Sequence, residues 1–365
     1  MPAAPRVSVL MTTFNGARTI ADSIASVLAQ TWREFELVVV DDASTDETPR
    51  ILAGIADPRL RVIRAPHNLG VVGARNLGFE ACRGEYVAAH DHDDISRPVR
   101  LAKQVALLDR EPAVVLVATE VELESEGRLS RSGHVADGSA PVMRWLLLVD
   151  NPLTWSSIML RAGAVRRLGQ FVRPDYELAD DFDLYHRLLS VGEIVRLSAP
   201  LTVYRWHETN TTWAGQQRLN VNAERVLCGA YRAWLGEDAA NAARLVVRHL
   251  SHREPVRDAA TLDCLGSYLE QLLRRFTAAN ALAPEDRVRV AAAAGEGWWK
   301  TVRAAVRAGG PSLARAFRSH PLLASGFRPP PTDHAVSIAI GGARALLPPA
   351  SRSTKFEFDT KRPKN

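Results

Sequence analysis

Five successive residues, His90, Asp91, His92, Asp93 and Asp94, follow the apolar run Tyr86-Val87-Ala88-Ala89 without a break. Such a run reads as a buried strand whose end delivers three carboxylates. Carboxylates this close repel one another, and a fold that gathers them needs positive charge to neutralise them. Oxygen-rich sites with few protein ligands suit Mg²⁺ or Mn²⁺, which keep several waters and take phosphate oxygens as their remaining ligands. That chemistry points to a diphosphate-bearing substrate. A solvated turn or a helix cap is the plain alternative for the same acids.

The elements that must position this cluster are legible on either side of it. Pro98 opens a segment with helical spacing at Val99, Leu101, Val105 and Leu108. Upstream, residues 6–13 form a β-rich run, Phe14-Asn15-Gly16 a turn, and Ile20, Ile24, Val27 and Leu28 one face of a helix. Residues 35–40 are nearly continuous in apolar character, as in a parallel strand buried on both faces, and they end in Asp41 and Asp42. Ser44 or Thr45 is expected to cap a helix through Ile51 and Leu52, with a third strand over 60–63. Asn68-Leu69-Gly70 then turns into a helix over 71–82. Strands alternating with helices imply an α/β fold with a right-handed, mostly parallel sheet flanked by helices. Ligands of such sheets lie beyond the carboxyl ends of the strands, where both acidic clusters fall.

A chain of 365 residues, 46% of them hydrophobic, can build one large α/β domain plus an appended unit. Its three cysteines, Cys82, Cys228 and Cys264, are scattered, which argues against a disulfide framework or a zinc knuckle and suits a reducing cytosol. The first residues lack a charged leader before an apolar core, and no stretch approaches the ~20 apolar residues of a bilayer span, so a soluble or peripheral protein is expected. A formal charge of +5 suits anionic ligands or membrane surfaces. The basic residues are dispersed rather than clustered among aromatics, so no nucleic-acid partner is expected.

The opening VSVLMTTFNGARTIADSIASVLAQTWREFELVVVDDASTDET, the block ARNLGFEACRGEYVAAHDHDD and the later ADDFDLYHRL resemble a family 2 glycosyltransferase of the Rossmann-like GT-A fold, over residues 6–212. The resemblance implies an inverting enzyme that uses a nucleotide-diphospho-sugar, a UDP-sugar in the first place, and a hydroxyl acceptor on a glycan or lipid-linked molecule. It implies that Asp42 accepts from a base N3–H, that Thr13 and Asn15 line the same pocket, and that Arg75 and Asn76 lie near the nucleotide or diphosphate. It places Asp91 near the ribose and Asp93 on a Mg²⁺ or Mn²⁺ ion, with Asp94 in support. Plainer readings stand beside these, Asp42 as a helix cap and Arg75 as a surface helix residue. His90, His92 and Asp94 also resemble part of the H-x-H-x-D site of dinuclear zinc hydrolases, but Ile95 stands where those sites carry another histidine.

Residues 114–122 are strongly β-like, and 122–137 read as an exposed hairpin or loop. Residues 151–160 resemble the family's acceptor-side strand, with Trp155 either a sugar-stacking platform or a core residue. Asp180-Asp181-Phe182-Asp183-Leu184 starts a helix whose Leu184, Leu188 and Leu189 face inward. It resembles the family's E-D-x-D-L signature, with Asp180 on the acceptor side where glutamate is usual. Displacing a nucleoside diphosphate in one inverting step needs a base on one face of the sugar and positive charge on the other. The resemblance assigns the base to Asp181; an acid favoured by the helix dipole is the plain alternative. His207 stands where some members supply a further metal or diphosphate contact, and Arg205 where phosphate could be met. The Q-x-x-R-W pattern of processive synthases lacks its glutamine around Thr202-Val203-Tyr204-Arg205-Trp206, so transfer of a single sugar is expected.

Beyond residue 216 apolar residues recur at helical spacing, at Val226, Tyr231 and Leu235, then Leu262, Leu265, Leu269, Leu272 and Leu273. The expected organisation is a transferase domain over 1–215, a helical C-terminal region over 216–350 and a mobile tail over 351–365. The helical third, with Trp298, Trp299 and Arg303, is expected either to rest on the cytoplasmic face of the inner membrane or to form an ordinary subdomain or homodimer contact. These features together suggest a cytoplasmic enzyme of surface polysaccharide or glycolipid assembly. A non-catalytic nucleotide-sugar binding module of the same fold is the alternative, against which the intact acids Asp91, Asp93 and Asp181 speak.

Overall fold

The computed structural model describes residues 5–131, 137–207, 215–316, 322, 327 and 331–345. The expected tail over 351–365 lies outside the described residues. The chain divides into two units, one of Met1–Arg144 with Pro152–Val226 and one of Trp145–Asn151 with Leu227–Asn365. The division thus falls eleven residues inside the expected helical region, after Val226, and a short stretch before Pro152 joins the second unit.

The first unit is built on strands β1 (Val7–Thr13), β2 (Phe35–Asp41), β3 (Leu60–Arg64), β4 (Tyr86–Asp91), β5 (Ile95–Ser96), β6 (Val114–Ser125), β7 (Arg128–Arg131), β8 (Met159–Arg161) and β9 (Glu193–Arg205). They form one sheet in the order β3-β2-β1-β4-β8-β6-β9-β5, with β7 paired to β6. Strands β3, β2, β1 and β4 are parallel, as the buried apolar runs predict. Beyond β4 the sheet is mixed: β8 runs antiparallel to β4 and β6, whereas β9 runs parallel to β6. The turn that reverses the chain at β8 involves only three strand residues, too few for apolar patterning to show. The acceptor-side strand expected over 151–160 is therefore a 3₁₀ turn, Trp155–Ser157, followed by this short β8.

Helices α1 (Ile20–Leu28), α2 (Thr48–Ala53), α3 (Gly70–Ala81), α4 (Arg100–Arg110), α5 (Ala140–Leu146), α6 (Ala162–Arg167) and α7 (Asp180–Leu188) connect the strands. A core of Val9, Met11, Ile24, Val39, Ala88, Leu101, Val105 and Val117 lies between the sheet and α1 and α4. Leu184 and Leu188 of α7 are fully buried. Neither Ser44 nor Thr45 caps α2. Asp46 accepts from the Thr48 backbone N–H instead, at 2.9 Å, while Ser44 and Thr45 are taken up by Asn15.

In the second unit α8 (Gln216–Leu235), which begins in the first unit, is followed by α9 (Ala239–Val246), α10 (Ala259–Ala279), α11 (Pro284–Arg307) and α12 (Pro331–Ala345). Leu262, Leu265, Leu269, Leu272 and Phe276 of α10 are buried, as are Trp298, Trp299 and Val302 of α11. At 1% and 3% exposed, Trp298 and Trp299 are core residues, which overturns their expected role at a membrane surface. Among the described residues no helix is long and apolar enough to cross a membrane.

Candidate active site

Parallel register carries β1, β2 and β4 to a common edge. Thr13 and Asp41 are register partners, as are Thr12 and Asp91. The acidic turn after β4 therefore stands beside the turns after β1 and β2. Oxygens of Asp91, Asp93 and Asp94 lie within 4.8 Å of one another. Ser156 locks the first of these acids, since its Oγ accepts from the Asp91 N–H at 2.9 Å and donates to Asp91 Oδ2 at 3.1 Å. His207 Nε2 lies 3.0 Å from Asp93 Oδ2. Arg205 braces the turn, donating its backbone N–H to Asp94 Oδ1 at 3.0 Å and its Nε–H to the Asp93 carbonyl. That takes up its guanidinium Nε on the protein itself, in support of the acidic turn.

Asp94 is fully buried, and its Oδ2 has no hydrogen-bond partner. Burial, and then the charges of Asp93 and Asp91, hold its carboxyl well above the usual range. Burial also raises Asp91, with Arg75 pulling the other way and Asp93 adding to the rise. Clustered oxygen donors, one of them orphaned and buried, fit a hard divalent cation. Asp93 and His207, with Asp91 and Asp94 beside them, are the residues that would hold it. His90 is not among them. Its ring is buried with Nδ1 3.3 Å from Arg100 Nη1, and burial and that charge pull it down to about 3. The H-x-H-x-D zinc reading finds no support here, because among the described residues the group able to hold a metal is Asp91, Asp93 and Asp94 and takes in neither His90 nor His92.

Arg75, on α3, reaches across to α7. Its Nη1 donates to Asp180 Oδ2 at 2.7 Å, its Nη2 lies 3.8 Å from Asp91 Oδ1, and its guanidinium sits 3.9 Å from the Trp155 ring centroid. Arg75, Asp180 and Trp155 are 9%, 2% and 6% exposed. Arg75 is thus no surface residue, and its guanidinium covers one face of the buried Trp155 ring. Asp181 follows at the start of α7, its Oδ1 accepting from the Phe182 N–H at 2.6 Å. Asp183 of the same signature is structural, with Arg173 and Arg187 donating to its carboxylate. Asn76, expected near the nucleotide, is also structural: its side chain pairs with both backbone groups of Val172.

On the other side of the edge, Asp42 is 3% exposed and its Oδ1 accepts from the Leu69 N–H at 2.7 Å, which ties the end of β2 to the start of α3. The helix start it serves is thus that of α3 and not of α2, whose N-cap is Glu47. Asn15, with φ of 53°, accepts from the Thr45 N–H at 2.9 Å and donates its own N–H to Ser44 Oγ. Thr13 Oγ1 is buried without a partner. Gly16 closes this corner: a Cβ there would fall 2.4 Å from His92 Cδ2 and 2.5 Å from Thr13 Oγ1.

Two residues escape sequence reasoning. Ser156 sits in an apolar stretch with nothing to mark it. Tyr185 is one helical turn beyond Asp181, which is a usable signal. Its buried hydroxyl has no hydrogen-bond partner, and burial, then the charges of Asp181, Asp180 and Asp91, push it well above the usual phenol value.

Comparison with known proteins bears on this geometry. The family model described as Glycosyl transferase family 2 matches residues 8–167. EpsE of Bacillus subtilis (strain 168), which carries the name of a glycosyltransferase, is 33% identical over 197 residues, covering 53% of this chain and 69% of its own. WfaP of Escherichia coli, named a UDP-Glc:alpha-D-GlcNAc-diphosphoundecaprenol beta-1,3-glucosyltransferase, is 32% identical over 105 residues, 29% of this chain and 42% of its own. Among solved structures, Staphylococcus aureus TarS 1-349 in complex with UDP-GlcNAc matches with a TM-score of 0.53 at 17% identity, covering 92% of this chain and 90% of that one. The mannosyltransferase PcManGT from Pyrobaculum calidifontis, in complex with GDP-Man and Mn²⁺, matches with a TM-score of 0.50 at 20% identity, covering 94% and 88%. At such identities the structural likeness speaks for the fold. The chain belongs to glycosyl transferase family 2 and is a glycosyltransferase of the GT-A fold.

Proposed function

We propose that this glycosyltransferase is metal-dependent and inverting, and that it moves a single sugar from a UDP-sugar to a hydroxyl of a glycan or lipid-linked acceptor at the cytoplasmic face of a membrane. The observation that carries this reading is the meeting of Asp91, Asp93, Asp94 and His207 at one end of the sheet, with Asp181 linked to them through Arg75 and Asp180. Support for the donor and metal comes from the ligands of the similar structures, UDP-GlcNAc in TarS and GDP-Man with Mn²⁺ in PcManGT. Support for the acceptor comes from the name of WfaP, whose acceptor is a diphosphoundecaprenol-linked sugar.

In this reading Thr13, Asn15 and Asp42 receive the nucleoside, and the orphaned hydroxyl of Thr13 finds its partner there. Asp91 meets the ribose. A divalent cation held by Asp93 and His207 would supply positive charge to the diphosphate oxygens as the leaving group departs. Asp181 accepts the proton of the acceptor hydroxyl as that oxygen attacks the anomeric carbon from the opposite face. The buried Asp180 lies behind it.

A thermal-shift screen of the protein with UDP, GDP, dTDP and CDP, each with Mg²⁺, Mn²⁺, Zn²⁺ or EDTA, tests the reading. A ligand that binds only the folded state stabilises it by about 2.7 kcal/mol at a hundredfold excess over its Kd. Stabilisation by UDP with Mn²⁺ or Mg²⁺, lost in EDTA, is the expected result. Zn²⁺ alone stabilising the protein while every nucleotide is silent would overturn it.

A further inference from the structure

The contacts of Arg75 set it apart from an ordinary phosphate-binding arginine. It projects from α3, whose Gly78 packs so close to Leu10 and Val40 that the helix is fixed to the sheet. Its guanidinium is gripped from two directions, by the buried carboxylate of Asp180 at 2.7 Å and by the indole face of Trp155 at 3.9 Å. A planar fork held both by a carboxylate and by a ring face is pre-organised and has little freedom to swing. The grip joins residues 105 positions apart in the chain, and Asp180 immediately precedes Asp181 in the first turn of α7. Asp91 lies farther off than Asp180, 3.8 Å away on the nucleotide side. Although burial works against it, the charges of Asp180, Asp91 and Asp181 raise the pKa of Arg75, which stays a cation among them.

We infer that Arg75 is a positioning residue for the base and not a nucleotide contact: clamped on Trp155, it holds Asp180 and the first turn of α7, and so sets Asp181 at a fixed distance from the Asp91 end of β4. The inference rests on the reading of Asp181 as base. Its consequence is a split between binding and turnover. Loosening the clamp leaves the turns after β1 and β2 and the pair Asp93 and His207 in place, because the close contacts of Arg75 are to Asp180 and Trp155, with the Asp91 carboxylate farther off than that of Asp180, at 3.8 Å. It displaces the base, and a misplacement of about 1 Å costs on the order of a hundredfold in rate.

The test uses the full chain and whichever of UDP, GDP, dTDP and CDP stabilises it with Mn²⁺. Affinity for that diphosphate is measured by calorimetry, and turnover as its release from the corresponding nucleotide-sugars. Arg75→Lys keeps the charge opposite Asp180 and therefore the fold, but loses the fork and the flat face. Asp180→Asn removes the carboxylate. Each is expected to lower turnover about a hundredfold while changing nucleotide affinity by no more than about twofold. The double variant should fall no further than the worse single one, as for two residues acting as a unit. Trp155→Phe, which keeps a ring under the guanidinium, should lose less turnover than Trp155→Leu; unfolding midpoints recorded for all variants separate this from loss of fold. Nucleotide affinity falling in step with turnover in Arg75→Lys, with Asp180→Asn retaining affinity, would show a direct diphosphate contact and overturn the inference, as would full additivity. Asp181→Asn is run alongside. Wild-type turnover in that variant removes the base reading itself, whereas an inactive Asp181→Asn beside a fully active Arg75→Lys removes only the role given to Arg75.

Discussion

The imidazole Nε2 of His207 stands 3.0 Å from Oδ2 of Asp93, a residue 114 positions earlier in the chain. One partner follows β4 and the other follows β9, strands separated in the sheet by β8 and β6, so the contact exists only when the sheet between them is assembled. If the pair holds a divalent cation, His207→Ala should weaken Mn²⁺-dependent nucleotide binding by about 10- to 100-fold, and Asp93→Ala by at least as much. Calorimetry of UDP with Mn²⁺ and with EDTA measures this. Equal affinity in the two variants and the wild type would remove the metal from these residues.

Asp181 is expected to behave differently. Replacement by asparagine keeps the shape and the contact to the Phe182 N–H but removes the proton acceptor. Turnover should fall by about 10²- to 10⁴-fold, the usual contribution of a general base, with nucleotide affinity kept. A proportional loss of both would make Asp181 a binding residue.

The fold itself can be probed at Gly78. A Cβ at this position would fall 2.3 Å from Leu10 Cδ1 and 2.9 Å from Val40 Cγ2, so α3 rests directly on β1 and β2. Gly78→Ala gains helix propensity but forces the helix off the sheet, a net destabilisation of about 1–3 kcal/mol. The urea midpoint reads this out. An unchanged or higher midpoint would mean that α3 does not pack so closely.

Glu36 gives a pH-dependent test far from the acidic turn. Its carboxylate is 3% exposed and accepts from Ser8 Oγ, from the Arg83 N–H and from the guanidinium groups of Arg61 and Arg83. Burial alone would raise its pKa, but the hydrogen bonds from Arg83 and Ser8 and the charge of Arg61 outweigh it and hold the group below 4.5. A carboxylate lowered in the folded state contributes stability that is present above its unfolded value and is lost as the pH falls through the folded one. Glu36→Gln should therefore cost about 1.5–3 kcal/mol near neutral pH, as for hydrogen bonds to a charged group. The gap to the wild type should narrow as the pH falls below 4.5. Denaturant titrations of both proteins across that range would show a constant gap if the charge is not what stabilises.

The parallel half of the sheet was legible because β1, β2 and β4 are short apolar runs buried on both faces, which hydrophobic pattern reports directly. The same reasoning located Asp42, Asp91 and Asp93, since a strand that ends in acid must expose that end. It could not see β8, with three residues, or the parallel pairing of β6 with β9, which depends on contacts between distant segments. Ser44 and Thr45 misled it, because a hydroxyl before a helix fits a cap locally, and only the fold offers Asn15 as the competing partner.

By itself, then, the sequence determined the parallel strands β1, β2 and β4, which acids stand at their ends, and through its ordered motifs the family to which the chain belongs. Tertiary structure alone decided what those side chains face. Arg75, read as a nucleotide neighbour or a surface residue, is buried against Asp180; Trp155, read as a sugar platform or a core residue, lies buried under its guanidinium; Trp298 and Trp299, read as a membrane contact or part of an ordinary subdomain, are core residues. The physical reason is the same in each case. Local pattern records how apolar a segment is and with what period, whereas the partner of a polar or aromatic group is chosen by chain topology between segments far apart in the chain.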